Sequence, residues 1–226
     1  MMEKHVVVIY PHPDDESFGA GGTITKYRKE GVPVTYLCGT LGEMGRNMGN
    51  PTFANRETLP DIRQKELIDA CNVLDIDVHM MGYRDKTIEF EDRNQVARHI
   101  KQYLDDIQPS LVITHYPGHA VHPDHDAYGA AAVGAVRLMD KQKRPTVWTQ
   151  AITRTHYDDI GKPDVSIDIT DYFDRKMEAI MAHKSQASGI ISQFHTENAA
   201  AEADLLSEAR KHLGTHEEFY VWVFDD

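Results

Sequence analysis

The residues best suited to chemistry fall in two stretches far apart in the chain. The first is His12-Pro13-Asp14-Asp15-Glu16. An imidazole and a carboxylate three positions apart can be aimed by one turn at a single point, and both suit zinc at ~2.0–2.2 Å. Asp14 lies between His12 and Asp15 and need not bind a metal. It is free to take a proton from a water that a cation has acidified. Three adjacent acids repel one another unless a cation or hydrogen bonds offset the charge. An acidic cap on a following helix accounts for Asp15 or Glu16, but not for the whole set.

The second stretch carries His115, His119, His122 and His125, four histidines in eleven residues, around a His122-Pro123-Asp124-His125 run. Pro123 suits the first turn of a helix, which puts His122 at the helix mouth and His125 about one turn later. His125 becomes the third ligand. His122, close but not bound, is placed to polarise a carbonyl oxygen or to protonate a leaving amine. Asp124 can accept a hydrogen bond from His122 and hold its tautomer. Two histidines and one carboxylate leave a coordination position open, the mark of a catalytic rather than a structural site. Such an ion lowers the pKa of water from ~15.7 toward roughly 7. Non-heme iron(II) oxygenases use the same ligand set, but their run of short β-strands has no counterpart here.

The elements that position these residues alternate along the chain. His5–Tyr10 reads as a buried strand, followed by a helix over Ser17–Glu30 and a strand over Val32–Cys38. Asp61–Leu74 and Asp92–Ile107 show helical spacing of apolar residues, with a short strand at Val78–Met81 between them. Leu111–Thr114 is a fourth strand, and Asp124–Asp140 an alanine-rich helix. Thr146–Thr153 and Phe219–Phe224 read as strands, Tyr172–Ser185 and Ala201–His212 as helices. This alternation predicts one α/β, Rossmann-like domain over residues 1–226, a mostly parallel sheet in 3-2-1-4-5 order with helices on both faces. Two segments lack periodicity, Gly39–Pro60 and Thr114–His122, and each begins where a strand ends. Ligands of such sheets bind at the carboxyl ends of strands where strand order reverses. The His/Asp clusters fall there.

Composition narrows the partners. The chain has 226 residues, 41% hydrophobic and 27% charged, with 24 basic against 36 acidic side chains and a net charge of −12. That balance argues against a nucleic-acid or anionic-membrane surface, while leaving room for a few local arginines to bind an anion. Cys38 and Cys71 form no paired framework, and no segment reads as a leader or a spanning helix, so a reduced, cytoplasmic setting is expected. Gly19-Ala20-Gly21-Gly22 follows the first strand, but Ile24 stands where a dinucleotide fingerprint needs a small residue. Cys38 and Gly39 end the second strand where that fold needs an acid. NAD is not expected.

The two motifs together resemble those of the PIG-L/LmbE-like family of metal-dependent N-deacetylases, and within it the bacillithiol biosynthesis deacetylases. The likeness extends to Gly42-Glu43, Arg63 and Glu66, Gly82 to Asp85, and His183 with Gln186. The resemblance implies zinc, with iron(II) as the other metal, on His12, Asp15 and His125. It implies Asp14 as general base and His122 facing the developing oxyanion. Glu43, Arg46, Arg63 and Asp85 become candidates for holding sugar hydroxyls and an anionic aglycone. Some members use a tyrosine two residues before the first histidine of the second motif. Here that place is Ala120, so the role is missing or falls to Tyr116 or His119. The implied substrate is a small N-acetylated aminosugar, N-acetylglucosaminyl malate above all, and the implied assembly a homo-oligomer, trimer or hexamer. Cleavage of bacillithiol S-conjugates, phosphoester hydrolysis with two metals, and metal or sugar binding without turnover remain as alternatives.

Overall fold

The computed structural model describes residues 3–187 and 202–225. Strands β1 (Val6–Tyr10), β2 (Val34–Cys38), β3 (Asp77–Met80), β4 (Leu111–His115) and β5 (Thr146–Gln150) pair in parallel, in the order β3-β2-β1-β4-β5. All five residues of β1 are fully buried, which explains its uninterrupted apolar run: a strand covered on both faces has no polar side to show. Val7 and Ile9 point into one core with helices α3 (Arg93–Ile107) and α4 (Pro123–Arg137). Val6, Val8 and Tyr10 point into the other, against α1 (Asp15–Lys29) and α2 (Leu59–Leu74). The expected strand order and the two helical layers are therefore present.

The far edge departs from the sequence reading. The last strand, β7, covers His216–Val221 rather than Phe219–Phe224, and runs antiparallel to β5. An additional strand, β6 (Val165–Asp168), pairs antiparallel with β7, giving seven strands in all. A short helix, α5 (His156–Ile160), follows β5, which stops at Gln150 instead of Thr153. Helix α6 spans Phe173–Ala182, shorter than the expected Tyr172–Ser185. Helix α7 covers Glu202–Leu213; Ala201, where the reading began it, lies outside the described residues.

The shift of β7 has a physical cause. Glu217 and Glu218 look unsuited to a covered strand, yet Glu217 is only 3% exposed. Its carboxylate accepts from the backbone amides of Gly22 (2.9 Å) and Thr23 (2.7 Å) in α1 and pairs with Lys176 of α6 at 2.6 Å. Lys176 also donates to the carbonyl of Phe18 at 2.7 Å. One buried ion pair thus ties the sheet edge, α6 and the helix that opens at the first motif. No helix among the described residues is long and apolar enough to cross a membrane.

Removing one partner of a buried pair strands the other charge away from water. Glu217→Ala is expected to lower unfolding free energy by about 3–5 kcal/mol, read from the urea midpoint at neutral pH.

Candidate functional site

Both motifs stand at the carboxyl ends of neighbouring strands. His12 follows β1 and Asp15 opens α1; His115 ends β4 and His125 lies in the first turn of α4. Between β1 and β4 the chain order reverses, so the loops there diverge and leave a cleft. Helix α4 passes close under its own loop: a Cβ at Gly129 would lie 2.5 Å from the carbonyl oxygen of His115. That approach brings His125 across to the first motif.

Two ring nitrogens and the two oxygens of one carboxylate converge. His12 Nδ1 lies 3.1 Å from His125 Nε2 and 3.3 Å from Asp15 Oδ2, and His125 Nε2 lies 3.3 Å from Asp15 Oδ1. Bonds of ~2.1 Å in a tetrahedral set separate donor atoms by roughly 3.4 Å, so the spacing of the two nitrogens from each other and from the carboxylate fits one ion. Both rings also have the correct tautomer. His125 Nδ1 sits 3.0 Å from the carbonyl oxygen of Ala120, an acceptor only, so the proton is on Nδ1 and the Nε2 lone pair faces inward. His12 Nε2 sits 3.2 Å from Asp85 Oδ1 and 3.4 Å from Asp124 Oδ2, which leaves Nδ1 free to bind. Such outer partners fix ring orientation in metal sites. His115 stacks on His125, with ring centroids 4.1 Å apart and planes 12° apart.

The charges agree with this. Burial would push the His12 imidazole down, yet the carboxylates of Asp124, Asp15 and Asp85 hold it well above its usual range. Burial likewise opposes ionisation of Asp15, but His125 and His12 keep its carboxyl well below the usual value. Without an ion, then, a proton shared between the facing nitrogens of His12 and His125, 3.1 Å apart, balances Asp15. A divalent cation would displace it.

Asp14 is placed otherwise. Its φ of 108° lies in the left-handed region that non-glycine residues avoid, a strain of order 1–3 kcal/mol that surrounding bonds must over-determine. The Asp14 amide donates to Glu16 Oε2 at 3.0 Å, and Glu16 in turn is paired to His183 at 2.7 Å, both fully buried. Arg63 of α2 donates to Asp14 Oδ2 at 3.0 Å, to the Gly42 carbonyl at 2.9 Å and to the Pro13 carbonyl. Burial pushes the Asp14 carboxyl up to about 6, partly opposed by Arg63. His122 caps α4: its Nδ1 accepts from the Asp124 amide at 3.1 Å, so its proton is on Nε2. Burial, with His12 and His125 nearby, lowers its pKa and keeps the ring neutral.

Several sequence expectations change role. Asp124 holds His122 through its backbone amide, not through its side chain. Its fully buried carboxylate accepts from the amides of Lys86 (2.6 Å) and Ile88 (3.1 Å) and faces His12. Asp85 and Arg63 reach the cleft, but the Asp85 carboxylate is engaged with His12 and the Met44 amide, and both terminal nitrogens of Arg63 with Asp14 and backbone carbonyls, its buried Nε being left without a partner. Glu43 accepts the Asp85 amide at 3.1 Å. Of the four proposed substrate contacts, Arg46 alone keeps an unengaged, exposed head group among the described residues. Tyr116 packs on His119, Tyr220 and Trp222, and His119 lies 3.4 Å from Thr153 Oγ1; neither lines the cleft, so Ala120 has no substitute there. Glu66 accepts from the amide (2.7 Å) and hydroxyl (2.6 Å) of Ser185, and Gln186 bonds the Asn47 carbonyl at 3.1 Å, binding the segment after α6 to the loop after β2. Sequence reasoning passed over Lys86 in the cleft wall; its one signal was its place beside Asp85.

The cleft, about 480 Å³ and lined by His12, Asp14, Asp15, His122 and His125, is sized for a small ligand. A parallel sheet with a two-histidine, one-carboxylate donor set and an unligated acid at its switch point defines a class, the α/β metal-dependent hydrolases. The PIG-L family model, described as GlcNAc-PI de-N-acetylase, matches residues 7–136. The chain belongs to this family. It is similar to the probable N-acetyl-alpha-D-glucosaminyl L-malate deacetylase 2 of Bacillus cereus, 52% identical over 86% of this chain and 89% of that protein. The Bacillus anthracis protein of the same name is 46% identical over 99% of this chain and 97% of its own length. Among solved structures, the diacetylchitobiose deacetylase from Pyrococcus horikoshii superposes with a TM-score of 0.70 at 26% identity, covering 97% of this chain and 84% of that one. A 4-carboxy-2-hydroxymuconate hydratase from Pseudomonas putida reaches 0.71 at 18% identity, covering 99% of each chain. The fold alone therefore does not choose the reaction.

Because Asp15 and its neighbouring carboxylates favour the protonated form of the His12–His125 pair, metal binding must displace a proton from it. Affinity is expected to weaken as pH falls from 8 to 6, with proton release detectable by titration calorimetry in buffers of different ionisation enthalpy. His125→Ala should remove stoichiometric binding at every pH in that range.

Proposed function

We propose that this chain is a zinc-dependent amide hydrolase that removes the acetyl group from N-acetylglucosaminyl malate, an N-acetylglucosamine derivative of bacillithiol biosynthesis. The observation that carries the reading is a complete donor set beside an acid that is not part of it. His12, Asp15 and His125 would hold the ion, while Asp14 lines the same cleft with its carboxyl pushed up to about 6. A module that only binds metal or sugar has no use for such a strained, half-buried, unligated acid. Relatives named as malate deacetylases, at 46–52% identity, support the substrate.

A divalent ion on these ligands would acidify water and polarise the acetyl carbonyl. Asp14 takes the proton of the attacking water, its carboxylate held in place by Arg63. His122, neutral and protonated on Nε2, donates a hydrogen bond to the carbonyl oxygen as negative charge develops there. It needs no positive charge to do so. Asp14 then carries its proton to the departing amine, so that acetate and the free amino sugar leave in balance.

General acid–base groups contribute about 10²–10⁴-fold. Asp14→Asn is therefore expected to keep its metal and lose at least ~100-fold in acetate release; near-normal turnover would remove Asp14 from the mechanism. In the native chain activity should fall on the acid side as Asp14 is protonated, with a midpoint at or below about 6, since a bound cation favours the carboxylate. A chelator should abolish acetate release and added zinc restore it. Faster cleavage of a bacillithiol S-conjugate than of the malyl glycoside would overturn the substrate assignment.

A further inference from the structure

Lys86 adopts φ 62°, a left-handed conformation uncommon for a lysine. A residue held there against its preference points to a role for its placement. What holds it is Asp124, whose fully buried carboxylate accepts the amides of both Lys86 and Ile88. The same acid faces the His12 ring. The turn carrying Lys86 is thus fastened directly to the donor set.

The neighbouring loop is fastened to this turn. Asp85 Oδ2 accepts the Met44 amide at 2.8 Å, and Glu43 Oε2 accepts the Asp85 amide at 3.1 Å. Both loop acids are therefore occupied with backbone and with His12. Lys86 and Arg46 line the cleft and are exposed, and their side chains have no ion pair or hydrogen bond among the described residues. The cleft lining carries three basic side chains, Arg46, Arg63 and Lys86, against three acidic ones, Asp14, Asp15 and Asp85, in a chain of net charge −12, and the two cations without a partner stand on the stapled loops at its wall. A fixed cation next to a cleft favours an anionic ligand over a neutral one of the same shape.

Resting on the deacetylase reading above, we propose that Lys86, with Arg46, determines aglycone specificity by binding a carboxylate of the sugar's substituent, so that the cleft selects glycosides of a hydroxy-dicarboxylic acid over neutral glycosides. A lysine ammonium is a compact charge that needs no fixed fork geometry, which suits a flexible acid chain. Lys86 touches the substituent and not the reacting amide, so it acts on selection.

The test compares kcat/KM for acetate release from N-acetylglucosaminyl malate and from methyl N-acetylglucosaminide, using the zinc-loaded chain, Lys86→Gln, Lys86→Gly and Lys86→Arg. A charge-assisted hydrogen bond supports an expected loss of about tenfold in the malyl-to-methyl preference for Lys86→Gln, carried by KM. Lys86→Gly, which suits the left-handed turn, should lose the preference equally, and Lys86→Arg should keep most of it. A preference unchanged in Lys86→Gln, or lost in Lys86→Arg as fully as in Lys86→Gly, overturns the proposal. If the unsubstituted enzyme deacetylates neither glycoside, the deacetylase reading fails by itself. The Lys86 assignment is then decided by calorimetric binding of L-malate to the zinc-loaded chain. A Kd weakened about tenfold in Lys86→Gln upholds it; an equal Kd, or no binding to the unsubstituted chain, sinks it.

Discussion

The structure depends on one electrostatic constraint, the gathering of carboxylates beyond the carboxyl ends of β1, β3 and β4. Asp14, Asp15, Asp85 and Asp124 crowd around His12 and His125, with Asp85, Asp124 and His12 buried and the others half-buried at the cleft. Such a group is tolerable only if each acid has a distinct partner. Asp15 faces the donor nitrogens, Asp14 faces Arg63, Asp85 and Asp124 face the back of His12, and backbone amides take up remaining lone pairs. Similar side chains thereby acquire different tasks. The environment, not the residue type, separates ligand from base from orienting group.

Rigidity follows from how these partners are distributed over the chain. The loops after β2 and β3 are joined to each other through Met44, Glu43 and Asp85, and to α4 through Asp124. Glu16 and His183 hold the strained backbone at Asp14 from beneath. Farther off, Lys176 and Glu217 tie α1, whose first turn carries the motif, to α6 and the sheet edge. Each connection uses a buried charge satisfied by backbone or by an opposite charge, which makes partial disruption expensive. A metal site built this way is preorganised before any ion arrives.

The likeness of this fold to a hydratase as well as to deacetylases shows where reaction type resides. The sheet supplies a cleft and a place for convergent side chains. In the reading proposed here, amide hydrolysis falls to the unligated acid and the ring opposite it, and selection of the ligand to the loops' charges. Those loops hold both the cations that are paired and the cations that are not.

The sequence by itself determined the parallel core, its order through β5, and that both His/Asp motifs stand at strand ends. An uninterrupted apolar strand, helical periods and proline-bounded His/Asp motifs are local patterns, and local geometry is enough to place them at strand ends. It could not determine the sheet edge, because Glu217 is buried in β7 only through a lysine and two helix amides distant in sequence. Nor could it tell that Arg63, Glu43 and Asp85 turn inward while Arg46 and Lys86 stay free. A charged side chain's role depends on which opposite charge or amide the fold brings within about 3 Å, and that distance belongs to the tertiary structure alone.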